Sequence, residues 1–236
     1  MVTTSYYFIS KNLSILNYTT FFSFRQRLSF YVGIQWYYFI EYVILCLEIK
    51  HSKRLIMAVY KEFGYIKIDD ARINEACDAY FKWKDLNTYI SSTSHRGINM
   101  PDAISEPMGC YCLGLLWNRG KEVGDATDPI TKNKIEFKAT SRFEGDLSSF
   151  GPKCTFDDLV FLRFKLDDNL LYIYDLKINS QEFGEYPANL KETIQDQKNQ
   201  GRRPHISLQK LFVDAKNLSP DIIFDIRKCK IIEDNR

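Results

Sequence analysis

Three residues in this chain have types and spacing that suit catalysis: Asp125, Glu136 and Lys138. Glu136 and Lys138 stand two apart in KIEFKAT (134–140), which reads as a strand, and the two-residue period of a strand sends both side chains to one face. Asp125 falls near the end of the preceding segment KEVGDATD (121–128), joined to that strand by a turn around Pro129 to Asn133. The two carboxylates, with the carbonyl of Phe137 between Glu136 and Lys138, make a set of oxygen ligands for a hard divalent cation, and Mg2+ fits that set. Lys138 beside the cation and a phosphate can hold or polarise the attacking water, while the cation neutralises charge building on the phosphate oxygens and leaving group. That constellation hydrolyses phosphodiesters. Glu106, on an earlier helix, can add a carboxylate to the same cleft. An acid followed by Glu-x-Lys also arises on the solvent face of a hairpin, where an exposed Glu/Lys pair contributes little. Against that reading, Ile135, Phe137 and Ala139 make the opposite face of the strand apolar, so the hairpin packs and its acidic face looks into whatever opening the helices leave.

The elements that must position these groups follow from periodicity. Residues 69–91 place Ile73, Cys77, Tyr80, Phe81 and Leu86 at helical spacing behind acidic residues suited to a helix start. A second helix is expected from Asn99, Pro101 and Asp102 through AISEPMGCYCLGLLW to Trp117, with Pro107 disturbing its early turns. After the first hairpin, DDLVFLRFKL and LLYIYDLKI flank Asp167, Asp168 and Asn169 as a second hairpin. Residues 187–200 read as a short polar helix ending at Gly201, and HISLQKLF (205–212) as strand or helix. The pattern is α+β around an antiparallel or mixed sheet. Trp83 and Trp117 sit among apolar neighbours at helical spacing and read as core. Cys110 and Cys112 form a Cys-x-Cys without a second pair or neighbouring histidines, so packing explains them better than zinc.

At 236 residues, 45% hydrophobic and 26% charged, the chain is long enough for one well-cored domain and is neither disordered throughout nor a disulfide miniprotein. Six scattered cysteines suit a reducing, cytoplasmic setting. The net charge of +2 means that any polyanionic partner must be met by a local patch. Composition breaks near Met57. Residues 1–56 hold fourteen of the 35 aromatics, with six basic and two acidic side chains. Within them, residues 28–47 reach the length of a membrane span but enclose Gln35 and Glu41, which the bilayer centre penalises. The apolar stretch starts too late and is too bulky for a signal peptide. The expectation is that residues 1–56 are an N-terminal extension outside the core, that Met57 is the working start, and that 57–236 form one domain.

RGINMPDAISE (96–106), IEFKAT (135–140), DLSSFGPK (146–153) and QGRRPHISL (200–208) together resemble the signature segments of the Bsp-six-I family of type II restriction endonucleases, a branch of the PD-(D/E)XK nucleases. The resemblance runs in one order from about Met57 to Ile232. It implies a restriction-endonuclease-like core, a central mixed β-sheet flanked by helices. It also implies magnesium-dependent cleavage of double-stranded DNA at the palindrome GCNGC, alongside a cognate DNA methyltransferase that is a functional rather than physical partner. By the resemblance, Asp125 is the strand-end ligand, Glu136 the second acid and Lys138 the lysine of the motif, with Asp128 a weaker ligand candidate.

Recognition of DNA needs phosphate contacts and base contacts. The segment Gln200, Gly201, Arg202, Arg203, Pro204 and His205 can supply both, one arginine forking onto guanine and the other engaging a phosphate. Its plain alternative is a solvated turn. Lys153, after Gly151 and Pro152, ranks second, and His95 is either a phosphate contact or a surface residue. A palindromic site is matched most simply by a two-fold homodimer, each subunit cutting one strand. The competing reading is a DNA-binding or membrane-tethered interaction protein in which the acidic hairpin is decoration.

Overall fold

The structure is a computed structural model and describes residues 64–94, 97–119 and 124–236. The expectations for residues 1–56, Met57 and His95 lie outside the described residues. Among the described residues, ten strands and four α-helices are formed: β1 (Tyr65–Lys67), α1 (Asp70–Thr93), α2 (Asp102–Leu113), β2 (Leu116–Asn118), β3 (Ala126–Thr127), β4 (Lys134–Thr140), β5 (Ser148–Ser149), β6 (Asp158–Lys165), β7 (Leu170–Asp175), α3 (Ser180–Gly184), α4 (Ile194–Asn199), β8 (His205–Ile206), β9 (Ile222–Asp225) and β10 (Lys230–Asp234). A six-residue π-helical segment, Gln209–Asp214, follows β8.

Eight strands make one mixed sheet in the order β1-β2-β3-β4-β6-β7-β9-β10, while β5 and β8 pair separately as a two-stranded ribbon. The expected hairpins are present: β3 runs antiparallel to β4, and β6 to β7. The central pairing of β4 with β6 is parallel, with Glu136 opposite Leu159 and Lys138 opposite Phe161.

Both faces of the sheet are covered, and the strands show it residue by residue. In β6, Val160, Leu162 and Phe164 join one core cluster with Ile135 and Phe137 of β4 and with Ile104, Met108 and Cys110 of α2. Leu159 and Phe161 join the other, with Phe150, Phe183, Ile194, Ile206 and Phe212. Period-two alternation with apolar residues on both sides is what a strand sandwiched between two layers requires. Burying these side chains contributes roughly 1.5–3 kcal/mol apiece. Gly109 lets α2 lie close on the first face: a β-carbon there would come within 3.0 Å of the Phe137 ring.

Three expectations need correction. The second helix stops at Leu113, because Gly114 takes a left-handed conformation (φ 73°) as its C-cap and Leu116–Asn118 leave as β2. Trp117 is therefore a strand residue, half-buried, whereas Trp83 is core as expected and its indole donates to the Asn99 carbonyl at 3.2 Å. The polar helix of 187–200 shrinks to Ile194–Asn199, since the Thr193 and Asp196 capping box starts it late; Gly201 then ends it with φ 74°. HISLQKLF, expected as strand or helix, is both, strand β8 and then the π-helical segment. Cys110 and Cys112 are buried thiols in the α2 core, and all five cysteines among the described residues are free.

Candidate active site

The site forms where β3 begins, at Asp125. The Asp125 amide donates to the Ile135 carbonyl at 2.9 Å, which sets the ladder, and the Asp125 carboxylate then accepts from the Phe137 amide at 2.8 Å. Because the N–H and C=O of one strand residue point the same way, the Phe137 carbonyl also looks toward the edge that Asp125 occupies. Glu136 and Lys138 emerge on the face away from α2, and the Lys138 ammonium donates to Glu136 Oε1. Two acids, an ammonium and a carbonyl thus meet at one strand edge, as the spacing of the sequence predicts.

Their electrostatics are those of a crowded, poorly solvated acid cluster. Burial first, and the neighbouring Glu136 charge second, push Asp125 up to about 6, against the pull of the Phe137 amide and Lys138. Burial alone would pull Lys138 down, but the Glu136 charge and hydrogen bond, with Asp125 behind them, hold it above its ordinary value. Glu106 approaches from α2, on the opposite face of the sheet. Burial and the Asp125 charge raise it to about 8, although Trp117 Nε1 donates to Glu106 Oε2 at 2.7 Å. Among the described residues no three His, Cys, Asp or Glu side chains converge as a metal cage. The donor set is instead two carboxylates and a carbonyl, hard oxygens that suit an ion keeping several of its own waters, as Mg2+ does. The Asp128 carboxylate accepts from the amides of Ile130 and Thr131 and holds the turn.

Side chains that sequence reasoning did not assign to the site complete the surroundings. The Lys138 ammonium lies over the Phe150 ring, 5.2 Å from its centre. The Cys154 thiol lies beside Glu136 and Lys138, pushed up to about 12 by burial first and the Glu136 charge second. Trp117 holds Glu106, with Arg119 5.5 Å over its ring. No signal in a strand of apolar residues marks a phenyl or indole as a partner of a distant charge. Only the placement of Phe150 within the DLSSFGPK segment hinted at it.

The candidate DNA-binding residues lie along the ribbon and its flanks. Lys153, Arg203 and His205 are exposed. Arg202 is tied down: its guanidinium donates to Glu192 and, at 3.1 Å, to Gln200 Oε1, while Gln200 Nε2 donates to Glu192 at 3.2 Å. That network pulls Glu192 down to about 2. Of the two arginines, Arg203 is thus the one whose charge is not engaged by Glu192.

The family model described as "Bsp6I restriction endonuclease" matches residues 68–215. A curated relative, "Type II restriction enzyme Bsp6I" from Bacillus sp. (strain RFL6), is 43% identical over 169 residues, 72% of this chain and 97% of the relative. No solved structure matches. The match spans α1 through the π-helical segment and includes Glu106, Asp125, Glu136, Lys138 and the ribbon. The chain therefore belongs to the Bsp6I restriction endonuclease family and is a type II restriction endonuclease, a hydrolase of DNA.

Proposed function

We propose that the strand edge at Asp125, Glu136 and Lys138 is the cleavage centre of a PD-(D/E)XK fold, and that it cuts double-stranded DNA at a short palindrome, GCNGC by the family resemblance. The observation that carries this is the convergence of both carboxylates and the Lys138 ammonium around the Phe137 peptide. Asp125, Glu136 and the Phe137 carbonyl would hold Mg2+. When bound, the ion supplies charge neutralisation at the scissile phosphate and lowers the pKa of a bound water. Lys138, kept charged by Glu136, orients the attacking water and faces the phosphate. Glu106 lies within electrostatic reach of Asp125 and acts on the set through it. Lys153 and Arg203 meet phosphate or base edges, with Gln200, Arg202 and His205 beside them.

The enzyme acts as a homodimer, one subunit per strand of the two-fold site, in the cytoplasm where a cognate methyltransferase protects the host's own sites. No helix among the described residues is long and apolar enough to cross a membrane. Residues 57–236 carry the activity, a reading supported by a relative whose length is almost wholly matched by 169 residues of this chain. The direct test is to incubate Met57-initiated protein with Mg2+ and a sequenced plasmid and to read the fragment ends. Discrete ends at one sequence are expected; an inert protein would overturn the reading.

Metal affinity should depend on pH with a definite sign. A proton competes with the cation for Asp125, whose folded value is raised to about 6, so ionisation is incomplete below that point. Mg2+ affinity measured calorimetrically should rise from about pH 5 to about pH 7.5 and flatten once Asp125 is ionised. Affinity that stays constant across that window would remove Asp125 from the ligand set.

A further inference from the structure

The ribbon formed by β5 and β8 has one buried and one open face, and the division is strict. Along the first strand Asp146, Ser148 and Phe150 are buried, while Leu147 is exposed and Ser149 half-buried; along the second, Pro204, Ile206 and Leu208 are buried and Arg203 and His205 exposed. The register pairs Ser148 with Ile206 and Ser149 with His205. Leu147, Ser149, Arg203 and His205 therefore share the outward face. Continued by two residues, the same register sets Gly151, which has no side chain, opposite Arg203.

The frame behind this face is stiff. The Phe150 amide donates to the Pro204 carbonyl at 3.1 Å, extending the ladder. The buried Asp146 carboxylate accepts from Ser207 Oγ at 2.7 Å and from the amides of Leu208 and Gln209 at 2.9 and 3.1 Å. Phe150, on the inward face, places its ring against the Lys138 ammonium. A two-stranded antiparallel ribbon fits the major groove of B-DNA, where base edges carry their full donor and acceptor code. The side chains on offer match what a groove requires: Arg203 and His205 as donors, Ser149 as donor or acceptor, and Leu147 as an apolar contact. Leu147 is 68% exposed, between two buried residues of its strand.

We infer that the outward face of the β5–β8 ribbon enters the major groove, and that Leu147 and Ser149 read the target duplex together with Arg203 and His205. This rests on the proposed reading that the 200–205 segment meets DNA. The experiment measures binding in EDTA, where no cation supports cutting, to two duplexes of about 30 base pairs. One carries a single cleavage site mapped on the plasmid, and the other carries that site with its G·C pairs replaced by A·T. Leu147→Ala and Ser149→Ala should keep the wild-type melting temperature and the affinity for the second duplex, and lower the ratio of the two affinities by about tenfold. An unchanged ratio for both, with Arg203→Ala lowering it, overturns the ribbon inference alone. An unchanged ratio for Arg203→Ala as well overturns the reading of the 200–205 segment with it. A Leu147→Arg variant that separates subunits without altering the ratio shows the face to be a subunit interface, and also overturns the inference.

Discussion

Lys138→Ala is expected to slow plasmid cleavage by about a hundredfold to a thousandfold, and Asp125→Asn to reduce it further, below detection. The two substitutions remove different parts of one device. The Lys138 ammonium is already charged and placed before any DNA arrives, by Glu136 on one side and the Phe150 ring on the other, so under the proposed roles its loss removes a preorganised positive charge at the phosphate. Asp125→Asn removes a negative charge from the proposed ligand set yet keeps an oxygen to accept the Phe137 amide, so the strand edge survives. Asp125→Ala would leave that amide without its acceptor and add a stability cost of about 1–3 kcal/mol, which is why asparagine is the informative change. Metal-free binding separates the roles again. Lys138→Ala should bind DNA slightly less tightly, and Asp125→Asn more tightly, since a carboxylate facing phosphates has gone. Single-turnover cleavage, binding in EDTA and thermal melting measure the three quantities. A Lys138→Ala enzyme that cuts within threefold of the parent would assign the chemistry to other residues.

How much of this was legible in the sequence depends on how far apart in the chain the interacting parts lie. Asp125, Glu136 and Lys138 are local, carried by one hairpin whose period-two pattern sends the last two to a common face, and the structure places them so. The β6–β7 hairpin was legible for the same reason: two runs rich in β-formers flank a turn in which Asn169 adopts φ 55°. The parallel pairing of β4 with β6 was not, because the segment between them folds into the ribbon and nothing in its composition announces a register. Strands of two residues, such as β3, β5 and β8, are shorter than any periodic signal. In the second helix, Gly114 marked the stop, but apolar residues on both sides of it imitated a continuous helix. Trp117, Phe150 and Cys154 reach Glu106, Lys138 and Glu136 only through tertiary packing, so these contacts become visible when the sheet is assembled.

Asp146 carries the second large effect, on stability rather than chemistry. Its carboxylate is buried and accepts four hydrogen bonds, from the hydroxyls of Ser148 and Ser207 and the amides of Leu208 and Gln209. It joins the start of the ribbon's first strand to the entrance of the π-helical segment, so one side chain closes a loop of more than sixty residues. Asp146→Ala leaves both amides and the Ser207 hydroxyl without that acceptor in a region where Leu208 is fully buried. At about 1–3 kcal/mol for each buried donor left unmade, the two amides alone set a loss of about 3 kcal/mol. For a domain of this size the melting temperature should fall by about 6–12 °C. Asp146→Asn should recover only part of the loss, because its amide turns a donor toward groups that are themselves donors. Urea unfolding of the parent and both variants, run under the same conditions, measures the difference. A cost below about 1 kcal/mol for the alanine variant would mean that water reaches the four donors and that the ribbon keeps its place without the carboxylate.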